Sequence, residues 1–143
     1  MTSDGGIPFL RQTDRRLGWT KALAQVLPDP RAPERIEPPL LALVRQRLYG
    51  LAAGYEDLND PDTLRHDLAW QTAVERDRAL ASSPTLCRLE NRADRSVAWA
   101  VHQVIGDQCL ASFAPPPVEW ILDFEATEDR VPGPPAGRCC HGY

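Results

Sequence analysis

Apolar residues recur at helical spacing along most of this chain. From Phe9 to Leu27, the positions Leu10, Leu17, Ala24 and Leu27, with Leu23 alongside, predict one helix that Gly18 weakens in the middle. Residues 1–8 read as a frayed start. Pro28, Pro30, Pro33, Pro38 and Pro39 make residues 28–39 a stiff, extended connector. Leu40, Leu41, Val44, Leu48, Leu51 and Ala52 then form the best apolar stripe in the chain, with Arg45 and Arg47 off it and Gly54 as its stop. Asp60-Pro61 opens a helix through about Ala73, with Leu64 and Leu68 on its buried side and Trp70 and Val74 beside them. Ser82-Ser83-Pro84-Thr85 opens a short helix to about Arg92, with Leu86 and Leu89 inward. Asp94 to Phe113 gives a long helix with Val97, Val101, Val104, Ile105 and Cys109 on its apolar side, Cys109 being a small core residue. The pattern then changes. Three prolines, Pro115 to Pro117, exclude a helix running in from upstream, and Val118, Trp120, Ile121, Leu122 and Phe124 read as a buried strand.

The strand ends in acid. In a strand, side chains two apart share a face, so Asp123 and Glu125 project together, and Glu128 and Asp129 follow at once. Two chemistries use such a cluster, a divalent-metal site and general acid/base work; a solvated acidic loop after a strand gives the same pattern. Charge points to the same place. Residues 1–106 hold 14 acidic and 14 basic side chains, whereas residues 107–143 hold 6 and 2, so the whole net charge of −4 lies around the acidic segment. Fifteen of the 16 basic residues are arginine, whose planar fork suits phosphates and guanine edges.

The remaining chemistry is sparse. Arg11, Arg15 and Arg16 form either a phosphate-facing cluster or, as charge runs on helices usually do, a solvated face. Thr85, Arg88, Asn91 and Arg92 lie together on the outer side of the short helix after Pro84. That is the residue set a recognition helix presents to phosphates and base edges. His66 and His102 read as surface histidines. Cys139-Cys140-His141 lacks the spacing for a tetrahedral site and has no second pair upstream. No stretch has transmembrane length, the N-terminus has no signal-peptide apolar core, and the four cysteines show no disulfide framework. The expectation is a cytoplasmic protein with reduced thiols and no membrane partner, nucleoid-associated if DNA is bound.

Three ordered stretches carry a resemblance. Leu122-Asp123-Phe124-Glu125-Ala126-Thr127-Glu128-Asp129, followed by Gly137-Arg138 and His141-Gly142-Tyr143, resembles the first catalytic strand of bacterial DDE-type insertion-sequence transposases of the group 1 branch. Gly54 to Asp60 with Leu64 to Asp67, and Leu80 to Arg92, resemble the same branch. The resemblance implies a mainly α chain. An N-terminal helical, helix-turn-helix-like DNA-binding region would occupy residues 1–114, and residues 115–143 would begin a truncated ribonuclease H-like α/β domain with its first strand. It implies DNA transposition by phosphoryl transfer, with three carboxylates holding two Mg²⁺ ions. It also implies double-stranded DNA bearing terminal inverted repeats as the partner, with Thr85, Arg88, Asn91 and Arg92 as DNA contacts.

The chain departs from the family pattern where chemistry is concentrated. The carboxylate before Ala-Thr is Glu125, where the family has aspartate, and a displacement of about 1 Å at a reacting centre costs on the order of 100-fold. Asp123 or Glu125 stands at the first catalytic and metal-binding position. Glu128 replaces another aspartate, and Cys139-Cys140 replace an aromatic pair. The second aspartate and the final glutamate have no counterpart here. The expectation is therefore a transposase N-terminal fragment that is inactive alone and binds no Mg²⁺. Two other readings are a small helical module that pairs with intact transposase and inhibits it, and a non-functional relic.

Overall fold

Helix α3 (Leu40–Ala52) is the element the other helices pack around. The computed structural model describes residues 4–32, 36–57, 59–115 and 117–123. Before α3 come α1 (Ile7–Leu17) and α2 (Trp19–Val26); after it come α4 (Asp60–Leu64), α5 (Leu68–Val74), α6 (Ser83–Glu90) and α7 (Arg95–Ala111). Helix α1 lies on α5, α2 lies on α3 and α7, and α3 also meets α1, α5 and α6. One apolar cluster joins Ile7, Ala42, Tyr49, Trp70, Ala73, Val74 and Leu80. A second joins Leu43, Ala81, Leu86 and Leu89, with Leu40 against it.

Helix α3 lies between these clusters, and this corrects the predicted stripe. Its buried residues are Ala42, Leu43, Val44, Arg45, Gln46, Tyr49 and Gly50, while Leu51 is exposed. A helix covered on several sides has no single apolar face, so its polar residues are buried with partners. The Gln46 amide donates to Ala81 O at 2.9 Å and accepts from Ala81 N at 2.9 Å, satisfying a loop backbone that enters the core.

The expected helix from Phe9 to Leu27 is two helices. Gly18 adopts φ 76°, a left-handed conformation that a β-carbon would strain, and its N–H closes α1 on Asp14 O at 2.7 Å. The start is not frayed from residue 4 onward. Ile7 is buried, and Asp4 accepts from Trp70 Nε1 at 2.9 Å and from the Tyr55 hydroxyl. The helix expected over Asp60 to Ala73 also divides, at residues 65–67. Asn59 takes the N-cap position of α4, with Asp60 as its first residue. Asp67 caps α5 by accepting from Ala69 N at 2.8 Å and Trp70 N at 3.2 Å. That cap turns α5 so that Trp70 is fully buried and Leu68, expected inside, is exposed. Asp67→Ala should cost about 1 kcal/mol in a denaturant melt, the usual worth of an N-cap carboxylate.

The long helix α7 exists as expected, capped by Asp94, but its expected core side is mostly uncovered. Val97 alone is buried; Val101 and Val104 are half-buried, and Ile105 and Cys109 are exposed. Cys109 is therefore an exposed thiol, because among the described residues only α2 packs substantially along this helix. After α7 no strand forms among the described residues: 118–123 are irregular, with Val118, Ile121 and Leu122 exposed. The expected strand's remaining residue, Phe124, lies outside the described residues.

Candidate nucleic-acid interface

Leu86 and Leu89 anchor α6 to the second cluster, which fixes the helix with its other side outward. Three further ties hold it. Ser83 N donates to Asp62 Oδ1 at 3.1 Å, Ser82 Oγ and Thr85 Oγ1 share a hydrogen bond of 3.2 Å, and Arg47 pairs with Glu90. The eight residues 75–82 between α5 and α6 exceed a helix-turn-helix connection; the four residues 91–94 between α6 and α7 match one in length, but α6 is there the first helix of the pair and not the second, so the face of α6 is not placed by a helix-turn-helix arrangement.

The four residues singled out from sequence divide here. Arg88 is exposed and makes no hydrogen bond or ion pair among the described residues. Thr85 is half-buried and occupied with Ser82. Asn91 is exposed and donates to Cys87 Sγ at 3.2 Å. Arg92 is drawn back to Asp29 at 3.7 Å, where Arg31 also binds at 2.6 Å. The Arg31 bonds, chiefly, hold the Asp29 carboxyl below its usual range. The outer face of α6 therefore offers one unengaged cation, Arg88, flanked by Asn91.

Arg11 of α1 and Arg45 of α3 are structural, which sequence reasoning missed. Arg11 and Arg45 are buried, not solvated, and both bind Glu75, the residue after α5. Glu75 Oε1 also accepts from Arg15 at 2.7 Å, and Oε2 from Arg45 at 2.7 Å. Burial alone would push the Glu75 carboxyl up, but bonds from Arg15, Arg11 and Arg45 outweigh it and hold it down to about 2. Buried Asp14 accepts from Thr20 N at 2.8 Å, Thr20 Oγ1 at 2.6 Å and the Tyr49 hydroxyl at 2.8 Å, and pairs with Arg11 at 3.3 Å. Desolvation raises the Asp14 carboxyl, and these donors lower it further, so it stays ionised. Burial and the bond to Asp14 push the Tyr49 hydroxyl up to about 12. The sequence signal was the unmatched arginine pair at Arg11 and Arg45 opposite Glu75, visible only once α1, α3 and α5 pack.

The acidic segment meets the structure at one residue. Asp123 is exposed at the end of residues 117–123; Glu125, Glu128 and Asp129 lie outside the described residues. Among the described residues no three His, Cys, Asp or Glu side chains gather in a way that could hold a metal ion. The one described residue of the acidic segment, Asp123, does not by itself make a two-metal centre.

The family model described as transposase DDE domain group 1 matches residues 1–143, the whole chain. The chain belongs to that family. No curated protein and no solved structure matches it. This DDE transposase family acts on DNA and generally uses divalent metal, and no described helix of this member is long and apolar enough to cross a membrane.

Proposed function

We propose that the helical part of this transposase-family chain is a DNA-recognition module that reads terminal-repeat DNA through the outer face of α6. We further propose that these 143 residues neither nick nor join strands by themselves. The observation that supports the first statement is that the Arg88 guanidinium is exposed on α6 and unpaired among the described residues, as are those of Arg16 and Arg95 elsewhere on the surface. Arg11, Arg31, Arg45, Arg47 and Arg76 are all committed to carboxylates of the chain itself. Arg88 is exposed on the side of α6 opposite Leu86 and Leu89, where a phosphate or base edge could reach it. Asn91 would add an amide able to read adenine, and Arg92, held at Asp29, plays the smaller part.

A two-metal site needs carboxylates converging from separate elements onto ions about 3.5–4 Å apart. Here the candidates, Asp123 and Glu125 with Glu128 and Asp129, come from one short stretch, and the residue before Ala126-Thr127 carries an extra methylene. Mg²⁺-dependent nicking of repeat DNA by the purified chain would contradict this.

The recognition face is tested by substitution. Arg88→Ala should weaken duplex binding roughly tenfold and flatten the dependence of log affinity on log salt by about 1, because one phosphate contact is lost. Fluorescence anisotropy at two or more salt concentrations gives both quantities. Unchanged affinity in a variant with wild-type helicity would remove α6 from the interface.

A further inference from the structure

The connector between α2 and α3 places one carboxylate between two arginines. Arg31 grips Asp29 as a fork: its Nε donates to Oδ1 and its Nη2 to Oδ2, both at 2.6 Å, and its backbone N–H donates to Oδ1 at 3.3 Å. Arg31 Nη1 donates to Pro38 O at 2.7 Å, which ties the two ends of the connector together. Asp29 is therefore held by its own segment. A forked guanidinium–carboxylate pair of this kind is the strong form of the interaction and needs no third group.

Arg92, the second residue past α6, arrives as a surplus cation. Its Nη1 lies 3.7 Å from Asp29 Oδ1, inside ion-pair range but beyond a hydrogen bond, and that oxygen already accepts twice from Arg31. No other bond engages the Arg92 guanidinium among the described residues, and its side chain is 26 % exposed. Two guanidiniums and one carboxylate leave one positive charge over. Glu37, the other acid acting on Arg31, is engaged by Arg76. Arg92 follows Arg88 by four residues, and its N–H continues the turn of α6 onto Leu89 O at 3.4 Å, so the two side chains are one turn apart.

We propose that Asp29 is an internal competitor of DNA phosphate for Arg92. In the free chain Asp29 holds Arg92; on the duplex a backbone phosphate takes Arg92 over, and Arg31 keeps Asp29. This rests on the reading of α6 as the DNA-facing helix, and adds to it a second phosphate ligand one turn from Arg88. A long, single-contact ion pair on a partly exposed side chain contributes little and is readily exchanged. A phosphate offers Arg92 oxygens at hydrogen-bond distance. The Asp29 carboxylate opposes the exchange twice, by attracting Arg92 and by repelling the incoming phosphate. Phosphate contacts carry no sequence information, so this competitor lowers affinity for any duplex and leaves discrimination to base contacts.

Asp29→Asn tests the proposal in the full chain, because asparagine keeps the Oδ1 acceptor for Arg31 and removes the charge. It should bind duplex roughly fivefold more tightly, on the terminal repeat and on scrambled duplex alike, and steepen the dependence of log affinity on log salt by about 1. Arg92→Ala should abolish that gain in the Asp29→Asn background and change little in the wild-type background. An Asp29→Asn chain of wild-type helicity that binds no more tightly would overturn the proposal. So would a gain that survives Arg92→Ala. The unmutated chain gives a second readout: on adding duplex, the NMR signal of the Arg92 Nε–H should shift and that of Arg31 should not, and the reverse would overturn the exchange. Failure of the α6 reading looks different, since wild type then binds neither duplex. Binding gained by Asp29→Asn would in that case still support the competitor, and no binding by either chain would overturn both.

Discussion

Glu75→Ala is expected to lower folding stability by about 3 kcal/mol and the melting temperature by roughly 10–20 °C, measured by urea and thermal unfolding. The loss comes from stranding Arg11 and Arg45, which are buried and would keep their charge without a carboxylate. The figure lies at the low end for a broken buried pair because the Glu75 side chain is 37 % exposed and water screens part of the attraction. Glu75 itself sits at φ 64°, a left-handed position, and alanine keeps a β-carbon there. The loss therefore reports the ion pairs and not relief of backbone strain. The effect depends on pH in a definite direction. The folded carboxyl is depressed to about 2 from 4.5, so its contribution is complete above about pH 4.5 and disappears as pH falls toward 2. The stability gap between wild type and Glu75→Ala should narrow over that window and stay constant above it. A gap that persists unchanged to pH 2 would mean the arginines are held by something else.

Trp70→Ala is expected to cost about 4 kcal/mol, the largest single effect in the chain. Trp70 is fully buried in the first cluster, edge-on to Tyr55 at a centroid distance of 5.7 Å, and donates its indole N–H to Asp4 at 2.9 Å. Removing it opens a cavity between α1, α3 and α5 and deprives the segment before α1 of its main tie. Chemical denaturation reads the loss directly. A loss below about 1 kcal/mol would show that the indole is not at the centre of the core.

These two residues show what sequence could and could not reveal. Trp70 was visible as apolar, but its burial depends on Asp67 turning α5, and a local cap outranked the periodicity that favoured Leu68. The starts of α4 and α6, and the inward residues Leu86 and Leu89, were legible because Asp60-Pro61 and Ser82-Ser83-Pro84 mark them, whereas the separate start of α5 at Asp67 was not. The face of α3 was not, since periodicity assumes one buried side and α3 is covered on several. Gly18 was read as a weak point, yet a left-handed φ makes it a break between two helices. The arginines divided in a way no linear pattern gives: Arg11 and Arg45 find Glu75 more than 25 residues away, Arg92 returns to Asp29, and Arg88 is left outward. For α7 the periodicity was correct about the helix and wrong about its cover, because Cys109 and Ile105 face outward with Trp99.

The central claim is that the helical part recognises DNA. Binding of the purified chain to a duplex carrying the element's terminal inverted repeat, against a scrambled duplex, at two salt concentrations tests it most directly. Preference for the repeat is expected, with affinity falling steeply as salt rises because phosphate contacts release counterions. Equal binding to both duplexes, or none, by a sample shown to be helical would contradict it.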